Sequence, residues 1–315
     1  MARERAISSD SQVRQGGCIP GSDLPAFSLH RPRGLPIPVI IAAPHGGRDY
    51  PESLIQRMRK PGYSMLRLED RYVDLLAGEV ARQTGAILLV AHAPRAMLDL
   101  NRACDDVDWH MVAGGAPQDT RHSLANRRAR SGLGLVPRRL AGLGEIWKGP
   151  ISREELDARI EGIHRPYHQA MGHALEELRD RWGAALLIDL HSMPPLKSNH
   201  PGERPAEFVI GDRFGASCEG MLVARSFRHL AAHGRPAAHN RPYAGGYVLD
   251  RQALPARGIH AMQVEVCRAT YLDRQLAEPG AGLADVAQVL AGMVRELAGE
   301  VAVLGRDGGM PLAAE

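Results

Sequence analysis

The sequence predicts an α/β fold built as one large domain, and three observations carry that prediction. Short apolar runs at Val39 to Ala43, Ala184 to Leu190 and His260 to Val266 have the length of strands covered on both faces. Segments with apolar residues at helical spacing alternate with them. Across 315 residues there is no internal repeat and no linker sharp enough to divide the chain.

Taken in order, residues 1 to about 30 mix charge, Ser, Gly and Pro without period and read as a poorly ordered tail or an arm draped on the domain, leaving 31 to 315 as the folded domain. The strand Val39 to Ala43 stops at Pro44. His45 follows at the carboxyl edge of the sheet, where open α/β folds place their ligands, and Gly46 and Gly47 allow close backbone approach. Arg67 to Val80 sets Leu68, Tyr72, Leu76 and Val80 at helical spacing with Gly85 as a stop, so Glu69 and Asp70 fall near its first turn. Ala86 to His92 and Ala96 to Arg102 read as two more strands.

From Ala103 to Lys148 the sequence loses period and gathers Gly, Pro and Arg; a loop this long in a compact domain is functional or disordered. Ser152-Arg-Glu-Glu155 is a capping box that opens a long helix carrying Leu156, Ile160, Ile163, Tyr167, Met171, Leu175 and Leu178, with Pro166 expected to kink or split it. After the strand ending at Leu190 come a strand at Glu207 to Gly211, a helix near Glu219 to Ala232 and a turn-rich loop from His239 to Tyr247. The strand through Glu265 and an amphipathic helix from Gly282 to Leu304 close the chain.

Composition excludes several function classes. Lys and Arg total 39 against 36 Asp and Glu, a surplus of +3 that is too small to imply nucleic acid or a membrane surface as partner. The arginines around Arg128 have no interleaved aromatic residues on which bases could stack, which favours a solvated face or an anionic substrate. Gly132-Leu-Gly134 lacks the third glycine of a dinucleotide fingerprint. Cys18, Cys104, Cys218 and Cys267 stand far apart, so neither a zinc knuckle nor a disulfide framework is indicated and a reducing cytoplasm fits. The N-terminus has no hydrophobic signal region, and no apolar run is long enough to span a membrane.

Two of the strands end in histidine. Ala184 to Pro194 repeats the first arrangement, with Asp189-Leu-His191-Ser following the apolar run. Two imidazoles at strand ends, each beside a carboxylate, supply the ligands and outer partners of a metal site. Glu265 lies inside an apolar strand; an unpaired buried carboxylate is costly, so it either pairs with Arg268 or faces a site that uses a raised pKa.

Pro44-His-Gly-Gly47 with Tyr50-Pro51, Glu69-Asp70, Asp99-Leu-Asn-Arg102, Arg165-Pro-Tyr-His168, Asp189-Leu-His-Ser192, Gly211 to Cys218, Tyr243-Ala-Gly-Gly246 and Gln263-Val-Glu265 together resemble the N-formylglutamate amidohydrolase family. The resemblance spans roughly Val39 to Asp273. It implies a single α/β domain with a mixed central sheet flanked by helices, of the zinc-exopeptidase (phosphorylase/hydrolase-like) kind, related to carboxypeptidases and aspartoacylase. It also implies one Zn²⁺ held by His45, His191 and an acidic residue, for which Asp70 is preferred over Glu69, although other divalent metals suit the same donors. Glu265 matches the acid that activates the attacking water. Arg102 matches an arginine that holds a substrate carboxylate, and Arg48, Arg128, Asn240 and Tyr243 are the other candidate substrate-binding residues.

The expected reaction is hydrolysis of the amide of a small anionic N-acyl amino acid, with N-formyl-L-glutamate giving L-glutamate and formate as the lead case. The alternative is a zinc peptidase or amidase acting on a larger acidic or cell-wall-type peptide, since the Arg-rich loop resembles a broader branch of the family. A binding protein that keeps the fold without catalysis has no chemical reason to hold His45, Asp70, His191 and Glu265 together.

Overall fold

The computed structural model describes residues 11–117, 127–198, 202 and 204–307. The chain runs β1 (Ser11–Gly16), β2 (Phe27–Pro32), β3 (Val39–Ala43), α1 (Glu52–Arg57), α2 (Pro61–Leu68), α3 (Val73–Thr84) and β4 (Ile87–Ala91). After a long irregular stretch holding α4 (Arg127–Arg130) and the hairpin β5 (Arg139–Leu140) and β6 (Gly144–Glu145), it continues through α5 (Arg153–Arg159), α6 (Arg165–Trp182) and β7 (Ala185–Met193). It ends with β8 (Phe208–Gly211), α7 (Gly220–Ala232), β9 (Ala237–His239), α8 (Tyr247–Gln252), β10 (Ile259–Cys267) and α9 (Leu283–Asp307).

Eight strands form one mixed sheet in the order β1-β2-β4-β3-β7-β10-β8-β9. The centre is parallel, β4 with β3, β3 with β7 and β7 with β10, whereas β8 returns antiparallel on β10. Every residue of β3, β7 and β10 is buried, which is why these strands read as nearly continuous apolar runs instead of alternating ones. Their side chains still alternate between two cores. Ile40, Ala42, Leu187 and Ala261 join Tyr167, Met171 and Leu175 of α6 on one face, and Ile41, Ile188, Met262 and Val264 join α3, α7 and α9 on the other.

Three expectations from the sequence are corrected. Residues 11 to 30 are not a loose tail: β1 and β2 pair with each other, and β2 pairs with β4, so they extend the sheet by two antiparallel strands. Phe27 and Leu29 are buried on that edge, and two apolar residues in a polar stretch give no visible period. Ala96 to Arg102 is not a strand. Its backbone is used in turns, with Met97 N–H donating to Pro94 O at 2.8 Å and Asn101 N–H to Asp99 Oδ1 at 2.8 Å, and it is apolar because it is a buried turn. The helix expected over Arg67 to Val80 is broken at Glu69 to Tyr72, where Glu69 is extended, Asp70 N–H donates to His45 O at 3.0 Å and Tyr72 takes φ +55°.

Other local signals appear as expected. Ser152 caps α5 by accepting from Glu155 N–H, and Pro166 opens α6 after a single π-helical turn at Ile160–His164. Among the described residues no helix is long and apolar enough to cross a membrane.

Candidate metal centre

His45, Asp70 and His191 come together at the carboxyl ends of the central strands, all three buried, with their donor atoms within 4.8 Å of one another. β3 delivers His45 two residues past its end. The Gly46-Gly47 turn then leaves the sheet against Ala93: a Cβ on Gly47 would sit 2.1 Å from Ala93 O, so only glycine fits. The break between α2 and α3 delivers Asp70, tied to His45 by the backbone hydrogen bond described above. β7 runs two residues beyond His191 and sets it beside Glu265 of β10 in parallel register.

Both imidazoles turn the same atom inward. His191 Nδ1 lies 3.0 Å from Asp70 Oδ2, and His45 Nδ1, buried with no hydrogen-bond partner, lies 3.7 Å from the same oxygen. Their outer nitrogens are held by carboxylates, His45 Nε2 to Asp99 Oδ1 at 2.8 Å and His191 Nε2 to Asp189 Oδ2 at 2.9 Å. Donation from Nε2 fixes each tautomer and leaves the Nδ1 lone pair for a cation. Two imidazole nitrogens and one carboxylate oxygen around a single point are a donor set that fits zinc or a similar divalent ion.

The electrostatics agree with that fit. Burial pushes the Asp70 carboxyl up, but its hydrogen bond with His191 and the nearby His191 and His45 imidazoles outweigh this and hold it well below the usual carboxylate range. Burial would lower His191, yet the Asp189 charge and hydrogen bond, with Asp70 and Glu265, hold it well above an ordinary imidazole. The negative field that favours a cationic His191 is the field a divalent metal would answer. Asp70 Oδ1 accepts from Arg268 at 3.1 Å, and Oδ2, the oxygen that faces the histidines, also accepts from Ser192 N–H at 3.2 Å.

Glu265 is buried and its pKa is raised to about 7, first by desolvation, with the His191 charge opposing and the Asp70 charge adding to the rise. The ion pair with Arg268 considered from the sequence does not form: Arg268 bonds Asp70, Glu69 O and Ser192 Oγ instead. The choice between the two acids at 69 and 70 is geometric. Glu69 Oε2 accepts from Arg71 at 2.7 Å, and Asp70 alone of the pair joins the histidines.

The candidate substrate residues fall into different places. Tyr243 is half-buried near the centre, its hydroxyl pKa raised by burial and by the Glu265 and Asp70 charges. Arg102 donates through Nε to Leu133 O and through Nη1 to Asn101 O, while Nη2 makes no hydrogen bond among the described residues. Arg48 is occupied by Asp74 in two 2.7 Å hydrogen bonds and by Gly46 O, so it braces the glycine turn and is not available to an anion. Asn240 is also engaged: Oδ1 accepts from Asp212 N–H and Nδ2 donates to Asp212 Oδ1. The Arg128 side chain lies outside the described residues.

Sequence reasoning missed Arg95. It donates to Asp99 Oδ2 from Nε at 3.0 Å, and its pKa, lowered by burial, is raised overall by Asp99, Asp70 and Glu265, which places a fixed cation beside the centre. Reading Ala96 to Arg102 as a strand hid the relation, because residues four apart meet on a helical turn and not on a strand.

The sequence profile of the N-formylglutamate amidohydrolase family matches residues 37–272. The chain belongs to the N-formylglutamate amidohydrolase family. Within it, the chain is 29% identical over 276 residues to an N-formylglutamate deformylase of Pseudomonas aeruginosa, covering 86% of this chain and 95% of that one. A Pseudomonas putida N-formylglutamate deformylase is 29% identical over 279 residues, covering 86% and 93%. The crystal structure of N-formylglutamate amidohydrolase from Ralstonia eutropha superposes with a TM-score of 0.78 at 30% identity, over 90% of this chain and 99% of that one.

Proposed function

We propose that this family member hydrolyses the amide bond of a small anionic N-acyl amino acid, with N-formyl-L-glutamate and water giving L-glutamate and formate. The names of the relatives support the substrate, and the chemistry is supported by one observation above all: two buried Nδ1 atoms converge on one Asp70 oxygen beside a carboxyl group whose pKa is about 7. In this reading His45, Asp70 and His191 hold one zinc ion. Bound to these residues, zinc would supply Lewis acidity toward the formyl carbonyl and the attacking water.

Glu265 takes a proton from the attacking water and returns it to the departing amine nitrogen; a pKa near the working pH suits both halves of that task. Arg95, anchored on Asp99, faces the negative charge that develops on the carbonyl oxygen. Arg102 receives the substrate carboxylate through its remaining guanidinium nitrogen, and Tyr243 borders the acyl group. The four cysteines, all unpaired, suit the cytoplasm as the place of action.

The test is metal analysis of purified protein combined with formate release from N-formyl-L-glutamate, neutral N-formyl amino acids and acidic peptides. Zinc at one ion per chain and a marked preference for N-formyl-L-glutamate are expected. Cleavage of the peptides without formate release would overturn the reading.

A further inference from the structure

Glu265 is held by a hydrogen-bonded run whose direction is fixed from one end. Gln263, two residues earlier on β10 and therefore on the same face, donates from Nε2 to Glu265 Oε1 at 2.8 Å. An amide can present either end to a neighbour, so the direction of that bond needs a cause. Asn101 supplies it. Its Oδ1 accepts from the backbone N–H of Val248 at 3.0 Å, a donor that cannot reverse, so Nδ2 faces the other way and donates to Gln263 Oε1 at 3.3 Å. With its oxygen held, Gln263 has only N–H to offer Glu265.

Asn101, Gln263 and Glu265 are all buried, so bulk water does not compete for these bonds. The run also explains a glycine. A Cβ on Gly246 would stand 2.6 Å from Asn101 Oδ1 and 3.0 Å from Nδ2, so the turn into α8 brings the Val248 amide onto Asn101 only because residue 246 has no side chain.

We infer that Asn101 and Gln263 are positioning residues for Glu265: they reserve Oε1 as a hydrogen-bond acceptor and make Oε2 the oxygen that carries the proton. As the O–H bond of the attacking water breaks, an O–H bond forms at Oε2. The same proton passes to the amine nitrogen as the C–N bond breaks, so the carboxylate ends as it began and one water is consumed per amide. The inference rests on the reading of Glu265 as the proton carrier.

The experiment measures kcat and KM for N-formyl-L-glutamate with the zinc-loaded enzyme and four variants. Gln263→Met fills similar volume with no donor, and Asn101→Asp still accepts from Val248 but cannot donate to Gln263. Glu265→Gln and the double variant Gln263→Met/Glu265→Gln complete a cycle. Gln263→Met and Asn101→Asp are expected to lower kcat about 10- to 100-fold, as loss of an outer partner does, with KM and zinc content unchanged in both and Tm unchanged in Gln263→Met. In the Glu265→Gln background, Gln263→Met is expected to lower kcat no further, because the two side chains act as a unit.

Wild-type kcat in both Gln263→Met and Asn101→Asp, with Glu265→Gln inactive, would overturn this inference and leave the role of Glu265 standing. Full turnover by Glu265→Gln, or none by the wild type, would remove that role and this inference with it. Losses that add in the double variant, or that follow zinc content or Tm, assign Gln263 to support of the fold and overturn the inference; should Gln263→Met not fold, Asn101→Asp decides alone.

Discussion

His45 Nε2 lies 2.8 Å from Asp99 Oδ1, although 54 positions separate the two residues in the chain. Asp99 thus does for His45 what Asp189, two residues away on the same strand, does for His191. It also receives Arg95 on its other oxygen, so a single buried carboxylate orients an inward-facing imidazole and anchors a cation. Asp99→Asn keeps the shape and removes the charge. We expect it to weaken zinc binding about 10- to 100-fold, measured by competition with a chromogenic chelator.

Removing a ligand is a harsher change than removing its partner. His191→Ala leaves two donors where catalytic zinc sites use three. The variant should purify without zinc and show no formate release at any zinc concentration tested, while the wild type stripped by a chelator regains activity when zinc is returned. Zinc bound at wild-type affinity in His191→Ala would exclude this residue as a ligand.

Glu265→Gln separates metal binding from proton transfer. Zinc content should match the wild type and kcat should fall by about 10²- to 10⁴-fold, the usual contribution of a positioned acid or base. Equal turnover in the two proteins would defeat the assignment.

Arg95 and Arg102 flank Asp99 and are expected to respond differently. Arg95→Met removes a cation from the developing oxyanion and should lower kcat by about 10²- to 10³-fold. Arg102→Lys loses the Nε and Nη1 bonds that hold the side chain and the Nη2 donor left for a carboxylate, and should raise KM for N-formyl-L-glutamate with kcat little changed. Steady-state kinetics on both variants distinguish the roles, and the reverse pattern would exchange them.

The buried Glu265 also predicts a pH dependence of stability in the metal-free protein. Its folded pKa, about 7, lies above the ordinary value of 4.5, because burial disfavours the charge. The protonated form is the one folding favours, so this contribution is fully present below pH 4.5 and is lost as pH rises through about 7. Chelator-treated Glu265→Gln should therefore gain Tm over the wild type at pH 8 and show a smaller difference near pH 4. A constant difference across that range would contradict the assigned environment.

The sequence by itself determined the parts whose cause is local. An apolar run that stops at Pro44-His45, another that stops at Asp189-Leu-His191, and Glu265 inside a third follow from strand burial, and burial is written in composition. The Ser152 cap and the π-helical turn before Pro166 are local for the same reason. Family resemblance then joined His45, Asp70, His191 and Glu265 into one site.

Tertiary structure decided whatever depends on partners far apart in the chain. Arg48 and Asn240 lie in the right neighbourhood by sequence, yet Asp74 and Asp212 claim their hydrogen bonds, and no pattern in the chain shows which donor a partner will claim. Arg95 was hidden because a short buried turn and a buried strand share one composition. The edge strands β1 and β2 form because the antiparallel ladder starting at β4 satisfies their backbone groups. The direction of the Asn101–Gln263–Glu265 bonds comes from one backbone N–H at Val248, 147 positions from Asn101, which only the folded chain brings into reach.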